Sequence, residues 1–160
     1  SLTGHLVFST LHTNDAAGAI SRLLDFGVEP YLVSSSLVCV LAQRLVRRIC
    51  PDCKQAYVPT AHELRELGIG TEPGSTTFYV GSGCGKCFDT GYRGRTGIYE
   101  LMGINDEIRE MIYRRETAGA VKRKALEYGM QTLRMDGARK VMGGITTIAE
   151  VLRVTQSDSM

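Results

Sequence analysis

No stretch of this 160-residue chain reaches the roughly 18 consecutive apolar residues that a membrane-spanning helix requires. Nothing at its start has the basic-then-apolar pattern of a secretory signal. The expectation is a soluble protein of a reducing compartment, where thiols stay free. Aromatic residues make up only 7% of the chain and few of them interleave with basic residues, which weighs against a nucleic-acid-binding platform. A net charge of +2 with 22% charged residues describes an ordinary soluble protein and gives no argument of its own for nucleic acid. Internal repeats and low-complexity linkers are absent. A phosphate loop is missing too: the stretch from Gly81 to Cys87 imitates one, but G-x-x-x-x-G-K-[ST] needs Gly at position 80 and Ser or Thr at 87, where Val80 and Cys87 stand. An initiator Met does not precede Ser1-Leu2-Thr3-Gly4. His5 to Thr10 reads as a buried strand of a parallel sheet, and such a strand cannot be the first of a sheet standing alone. The expectation is a fragment whose neighbouring strands lie upstream or come from another part of the molecule.

What the chain does have is two C-x-x-C pairs, Cys50 and Cys53 in ICPDCK and Cys84 and Cys87 in SGCGKCF. Each pair stands beside a Pro or Gly that permits a tight turn. Four thiolates so arranged can occupy the corners of a tetrahedron about 2.3 Å from one Zn²⁺. The reading is a structural zinc site; two disulfides or unligated thiols are the alternatives, and no oxidoreductase pattern or secretory signal supports the former. The stretch between the pairs is too long for a minimal zinc ribbon, so the metal is expected to close a subdomain with its own helix and strand, with the flanking segments folding separately. Cys39, in the apolar run SSSLVCVLAQ, reads as buried packing. At this length the chain can bury roughly 70% of its unfolded surface as one domain, or divide into small units that need such support.

Capping chemistry places the helices. Thr13, Asn14 or Asp15 can cap a helix from about Ala16 to Phe26, with Gly27 at its end. Pro30 suits the first turn of a second helix, expected to run to about Arg48, where Arg44, Arg47 and Arg48 would favour a helix C-terminus. Those arginines read as a solvated helix end, with an acidic or phosphate partner as the alternative. Thr60-Ala-His-Glu63 is a capping box for a short helix to Leu67, and it leaves His62 on the surface. Thr76 to Val80 reads as a strand, and glycines surround another from Gly91 to Met102. Asn105, Thr117 and Thr132 can each cap a helix, Thr147-Ile-Ala-Glu150 is a second capping box, and Gln156 to Met160 is expected to fray.

Two histidines complete the candidates. His5 opens the expected buried strand and His12 follows it in a polar turn before a helix, the position where open α/β sheets gather ligands. By themselves they read as ordinary structural residues, a satisfied histidine at His5 and a loop histidine at His12, since neither has a visible carboxylate partner.

The run SLTGHLVFSTLHTND closely resembles the histidine box of secretion ATPases, and AQRLVRRICPDCK, CGKCFDTGYRGRTGIYELM and GITTIAEVLRVT follow in that family's order. The resemblance, to the type II secretion system protein E family, covers essentially the whole chain. It implies an α/β fold: the later part of a RecA-like P-loop ATPase core over 1–49, a tetracysteine zinc subdomain over 50–90, and a strand with a helical C-terminal region over 91–160. It implies His5 and His12 near the nucleotide phosphates, Cys50, Cys53, Cys84 and Cys87 as zinc ligands, and Arg22 and Arg95 as basic positions for nucleotide or subunit contacts, each also explicable as a surface salt bridge. ATP and Mg²⁺ are implied only for the complete enzyme, because the phosphate loop and acidic boxes of the family have no counterpart here; the fragment alone is expected to be inactive. The implied assembly is a hexamer at the cytoplasmic face of the inner membrane, bound to the cytoplasmic domains of the secretion platform. The sister motor for type IV pilus assembly is the nearer alternative; a stand-alone zinc module binding protein or nucleic acid is the farther one.

Overall fold

The computed structural model describes residues 4–70 and 76–155. The frayed end expected for Gln156 to Met160 and the first three residues lie outside that range. The chain is mixed α/β with two small two-stranded sheets, and it divides into two compact units. One comprises Ser1–Ala42 with Glu100–Gln131, the other Gln43–Tyr99 with Thr132–Met160.

The first unit is built from helices that begin where the caps predict. Helix α1 (Ala16–Asp25) starts at Asp15, whose carboxylate accepts the Gly18 N–H at 2.8 Å. Helices α4 (Asp106–Tyr113) and α5 (Ala118–Glu127) are capped by Asn105 and Thr117. Their apolar stripes meet in one core containing Ala16, Ile20, Val33, Met102, Ile108 and Val121. Helix α2 starts at Pro30 but ends at Ser36.

The expected continuation of α2 to Arg48 is wrong. Cys39–Ile49 is instead strand β1, paired with a strand β4 at Tyr92–Gly103. Ile104 N–H donates to the Val38 carbonyl at one end and Cys50 N–H to the Gly91 carbonyl at the other, so the two run antiparallel. The alternation of exposed and covered positions along β1 has the period of a strand, and Val40, Leu45 and Val46 suit it. Cys39 consequently lies exposed rather than in a helix core. Arg44, Arg47 and Arg48 stand on a strand, so the helix-dipole argument for them does not apply.

In the second unit β2 (Lys54–Tyr57) and β3 (Phe78–Gly81) pair antiparallel, Lys54 opposite Gly81 and Tyr57 opposite Phe78. Helix α3 (Ala61–Leu67) carries the complete capping box at Thr60 and Glu63 and closes on Gly68 in the left-handed conformation. Helices α6 (Leu133–Met142) and α7 (Ile148–Val154) follow. Leu64, Leu67 and Phe78 share one core with Val141, Ile148 and Val151. The segment between the cysteine pairs is therefore not an independent body: it folds against helices from far along the chain.

The second expected capping box is only half formed. Thr147 accepts the Glu150 N–H, but the Glu150 carboxylate turns away from the cap. It accepts the Arg47 backbone N–H at 2.8 Å and the guanidinium groups of Arg47 and Arg153 at 2.7 and 2.9 Å. Burial pushes Glu150 toward protonation, but these charge-assisted donors outweigh it and hold its carboxyl down at about 2.

The strand expected at His5 to Thr10 does not form. These residues belong to no helix or strand, and Leu6, Val7 and Phe8 are 73, 62 and 89% exposed. A parallel strand is stable only between neighbours that satisfy its backbone and cover its faces. No neighbouring strand is supplied by the described residues.

Candidate functional site

The four cysteines converge in the second unit. Cys50-Pro51-Asp52-Cys53 forms one knuckle through a 3₁₀ turn at Pro51–Cys53, and a second such turn at Gly85–Cys87 forms the other. The second knuckle is closed by two left-handed residues, Phe88 and Asp89, with Asp89 N–H donating to the Cys84 carbonyl and Thr90 N–H to that of Cys87. Strand β2 leaves directly after Cys53 and β3 ends just before the second pair, so their ladder carries one knuckle to the other. Gly81 and Gly91 make the approach possible: a Cβ on Gly81 would overlap the Gly91 carbonyl, the group that accepts the Cys50 N–H.

All four Sγ atoms lie within 4.8 Å of one another. Cys50 is 4.0 Å from Cys84, Cys53 is 3.9 Å from Cys87, and Cys84 is 3.7 Å from Cys87. A tetrahedron with 2.3 Å metal–sulfur bonds has edges of about 3.8 Å, so this cluster could hold one metal ion with little adjustment. At Cys87 the surroundings favour thiolate: Cys84 N–H donates to its Sγ at 3.2 Å. Burial raises the Cys87 thiol, yet N–H donors from Gly91 and Cys84 bring it down to about 7. Burial lifts Cys53 to about 12, reinforced by its thiol neighbours. Four thiols at this spacing cannot all ionise together, and a divalent cation is the charge that lets them do so.

Asp52, inside the first knuckle, binds Lys86 of the second at 2.5 Å and Arg93 at 3.6 Å. The hydrogen bond from Lys86 is the main reason its carboxyl lies below the usual range. This pair ties the knuckles together outside the sulfur cluster, and spacing rules gave no sign of it.

The histidines are held differently. His5 and His12 are both exposed in the first unit, outside any regular element. His12 enters the turn that leads into α1, where Thr13 Oγ1 donates to the Asp15 carbonyl at 3.2 Å. Arg22, exposed on α1, lays its guanidinium 4.9 Å from the Phe26 ring centroid. Arg95 belongs to the other unit, exposed on β4 and with no ion-pair partner among the described residues. Sequence reasoning passed over Glu100, which is 1% exposed and whose Oε1 accepts the Ala16 N–H at 2.8 Å. Its signal was available: Glu100 shares the inward phase of β4 with Ile98 and Met102, where a charge needs a partner.

Comparison with known proteins supplies the family. A family model described as type II/IV secretion system protein matches residues 1–153. The chain belongs to that family. It is 51% identical over 159 residues to the type II secretion system protein E of Pseudomonas aeruginosa, covering 99% of this chain and 31% of the relative. The corresponding protein of Dickeya dadantii is 50% identical over 158 residues, again 99% of this chain and 31% of its own length. The type IV pilus assembly ATPase PilB of Myxococcus xanthus is 48% identical over 161 residues, covering 99% and 28%. The chain therefore spans less than a third of these relatives.

Proposed function

We propose that the chain is part of an ATPase motor that couples ATP hydrolysis to pseudopilus assembly and protein export through a type II secretion system. The observation that carries this reading is identity of about half the residues, across 99% of the chain, to type II secretion system protein E. In the complete protein the fold is a RecA-like core, and this chain supplies residues 1–49 to it, with the cysteine segment 50–90 and the strand and helices of 91–160 following. The phosphate loop and Mg²⁺-binding carboxylates come from other parts of the protein, so the 160 residues alone do not turn over ATP. The whole protein works as a hexamer, bound to platform proteins at the cytoplasmic face of the inner membrane.

Phosphoryl transfer is mostly positioning and charge stabilisation. His5 and His12 orient or sense the γ-phosphate rather than attack it, and Arg22 and Arg95 serve nucleotide or subunit contacts. Cys50, Cys53, Cys84 and Cys87 hold Zn²⁺, whose contribution is to folding: it crosslinks the two knuckles and braces a surface. In the whole protein, His5→Ala or His12→Ala lowers ATP turnover by about tenfold or more while zinc content is unchanged. Wild-type turnover in both variants would remove the histidines from the site.

The pilus-assembly reading stays alive because PilB of M. xanthus is nearly as similar. Deleting the parent gene separates the two: loss of exported enzymes with intact pili supports secretion, and the reverse supports pilus assembly.

A further inference from the structure

We propose that Glu100 is a positioning residue for His12, acting through the start of α1; this rests on the assignment of His12 to the phosphate site. Glu100 is a carboxylate 1% exposed in the core of the first unit, and its Oε1 accepts the Ala16 N–H at 2.8 Å across 84 residues of sequence. Ala16 is the first residue of α1, and its N–H is one of the four that a helix leaves without an internal partner. Asp15 satisfies another, at Gly18, and its second carboxylate oxygen meets Lys122 of α5 at 3.3 Å. The helix start is thus held at Ala16 and Gly18 by two strong acceptors: Glu100 anchored in β4 and Asp15 anchored to α5.

His12 lies directly before this anchor. From His12 the chain passes through Thr13, whose hydroxyl is bonded to the Asp15 carbonyl, and enters the helix at Ala16. His12 itself is exposed and outside any regular element, so its place is set by where the turn is attached. Ala16 is fully buried, so water does not cap its N–H and the acceptor must come from the protein. Placing a buried carboxylate there is costly unless the bond is made, and it fixes the helix start against a strand rather than leaving it to fray. A histidine that must meet a phosphate within a few tenths of an ångström needs such an anchor.

A double-mutant cycle in the whole protein tests this. ATP turnover, normalised to folded protein, is measured for His12→Ala, Glu100→Ala and the double variant, with Glu100→Gln as the conservative change. Gln keeps an acceptor for the Ala16 N–H. We expect Glu100→Ala to lower kcat by about tenfold with KM for ATP little changed, Glu100→Gln to recover most of it, and the double variant to be no slower than His12→Ala alone. Normalised to folded protein, a merely structural Glu100 leaves kcat within twofold of wild type in Glu100→Ala, and one that acts independently of His12 gives losses that multiply with that of His12→Ala; either outcome overturns the proposal. If Glu100→Ala fails to fold, Glu100→Asp, which withdraws the acceptor by one methylene, enters the same cycle under the same criteria. An inert His12→Ala overturns the histidine assignment and this inference with it, whereas a slow His12→Ala with multiplicative losses overturns the inference alone.

Discussion

The cysteine cluster and the histidine segment carry comparable sequence signals, yet the structure completes one and leaves the other open. Each knuckle is made by its own four residues, the β2–β3 ladder joins them, and Asp52 and Lys86 tie them a second time. The knuckles, the ladder and the tie all lie between Cys50 and Gly91. His5 to Thr10 carries three large apolar side chains, Leu6, Val7 and Phe8, but no strand among the described residues pairs with it, and those side chains stand in solvent. A turn carries its chemistry locally; a buried parallel strand borrows it from its neighbours.

The comparison breaks most decisively at the metal. Stripping the cluster with a chelator, or replacing Cys84 with Ser, removes a contribution on the order of 10 kcal/mol. Circular dichroism should show loss of the second unit's ordered structure, and a melting temperature unaffected by chelation would show that the knuckles stand without an ion. Next in size is the Glu150 cluster. The Glu150 carboxyl is held at about 2 against an ordinary 4.5. Its stabilisation is therefore fully present above about pH 4.5 and is lost as pH falls toward 2, a difference on the order of 3 kcal/mol. Acid also releases metal from thiolates, so the measurement is the difference between wild type and Glu150→Gln in thermal melts from pH 6 to pH 2; equal slopes would discard the claim. Thr60→Ala removes the cap of α3 and should cost about 1 kcal/mol in urea unfolding. Smallest of all, Phe8→Ser should change stability by less than about 0.5 kcal/mol, because an 89% exposed ring has little burial to lose. A larger effect would mean that the segment is covered after all.

Much of the local structure was legible in the sequence for the same reason that the knuckles were. Asp15, Thr60, Asn105, Thr117, Thr132 and Thr147 all accept the N–H three residues on, because a cap is decided within one turn. The misreading of Cys39–Ile49 came from favouring a helix in a run where arginines fall at both strand and helix intervals. What settles that run is β4, more than 40 residues further on, which no local window contains. Glu150 illustrates the same limit: its capping-box spacing is correct, but two arginines compete for the carboxylate, and one of them comes from β1. The convergence of the four cysteines could be read from spacing, while the Asp52–Lys86 tie and the Glu100 anchor depend on tertiary placement.

Gly81 and Gly91 lie face to face without side chains, and the Gly91 carbonyl holds the Cys50 amide. The frame around the sulfurs is therefore main chain against main chain, with little room to breathe. A compliant cage accepts ions of many radii, whereas a stiff one selects by size and by coordination geometry. Where several thiophilic metals compete, these two glycines bear on which of them such a cluster could hold.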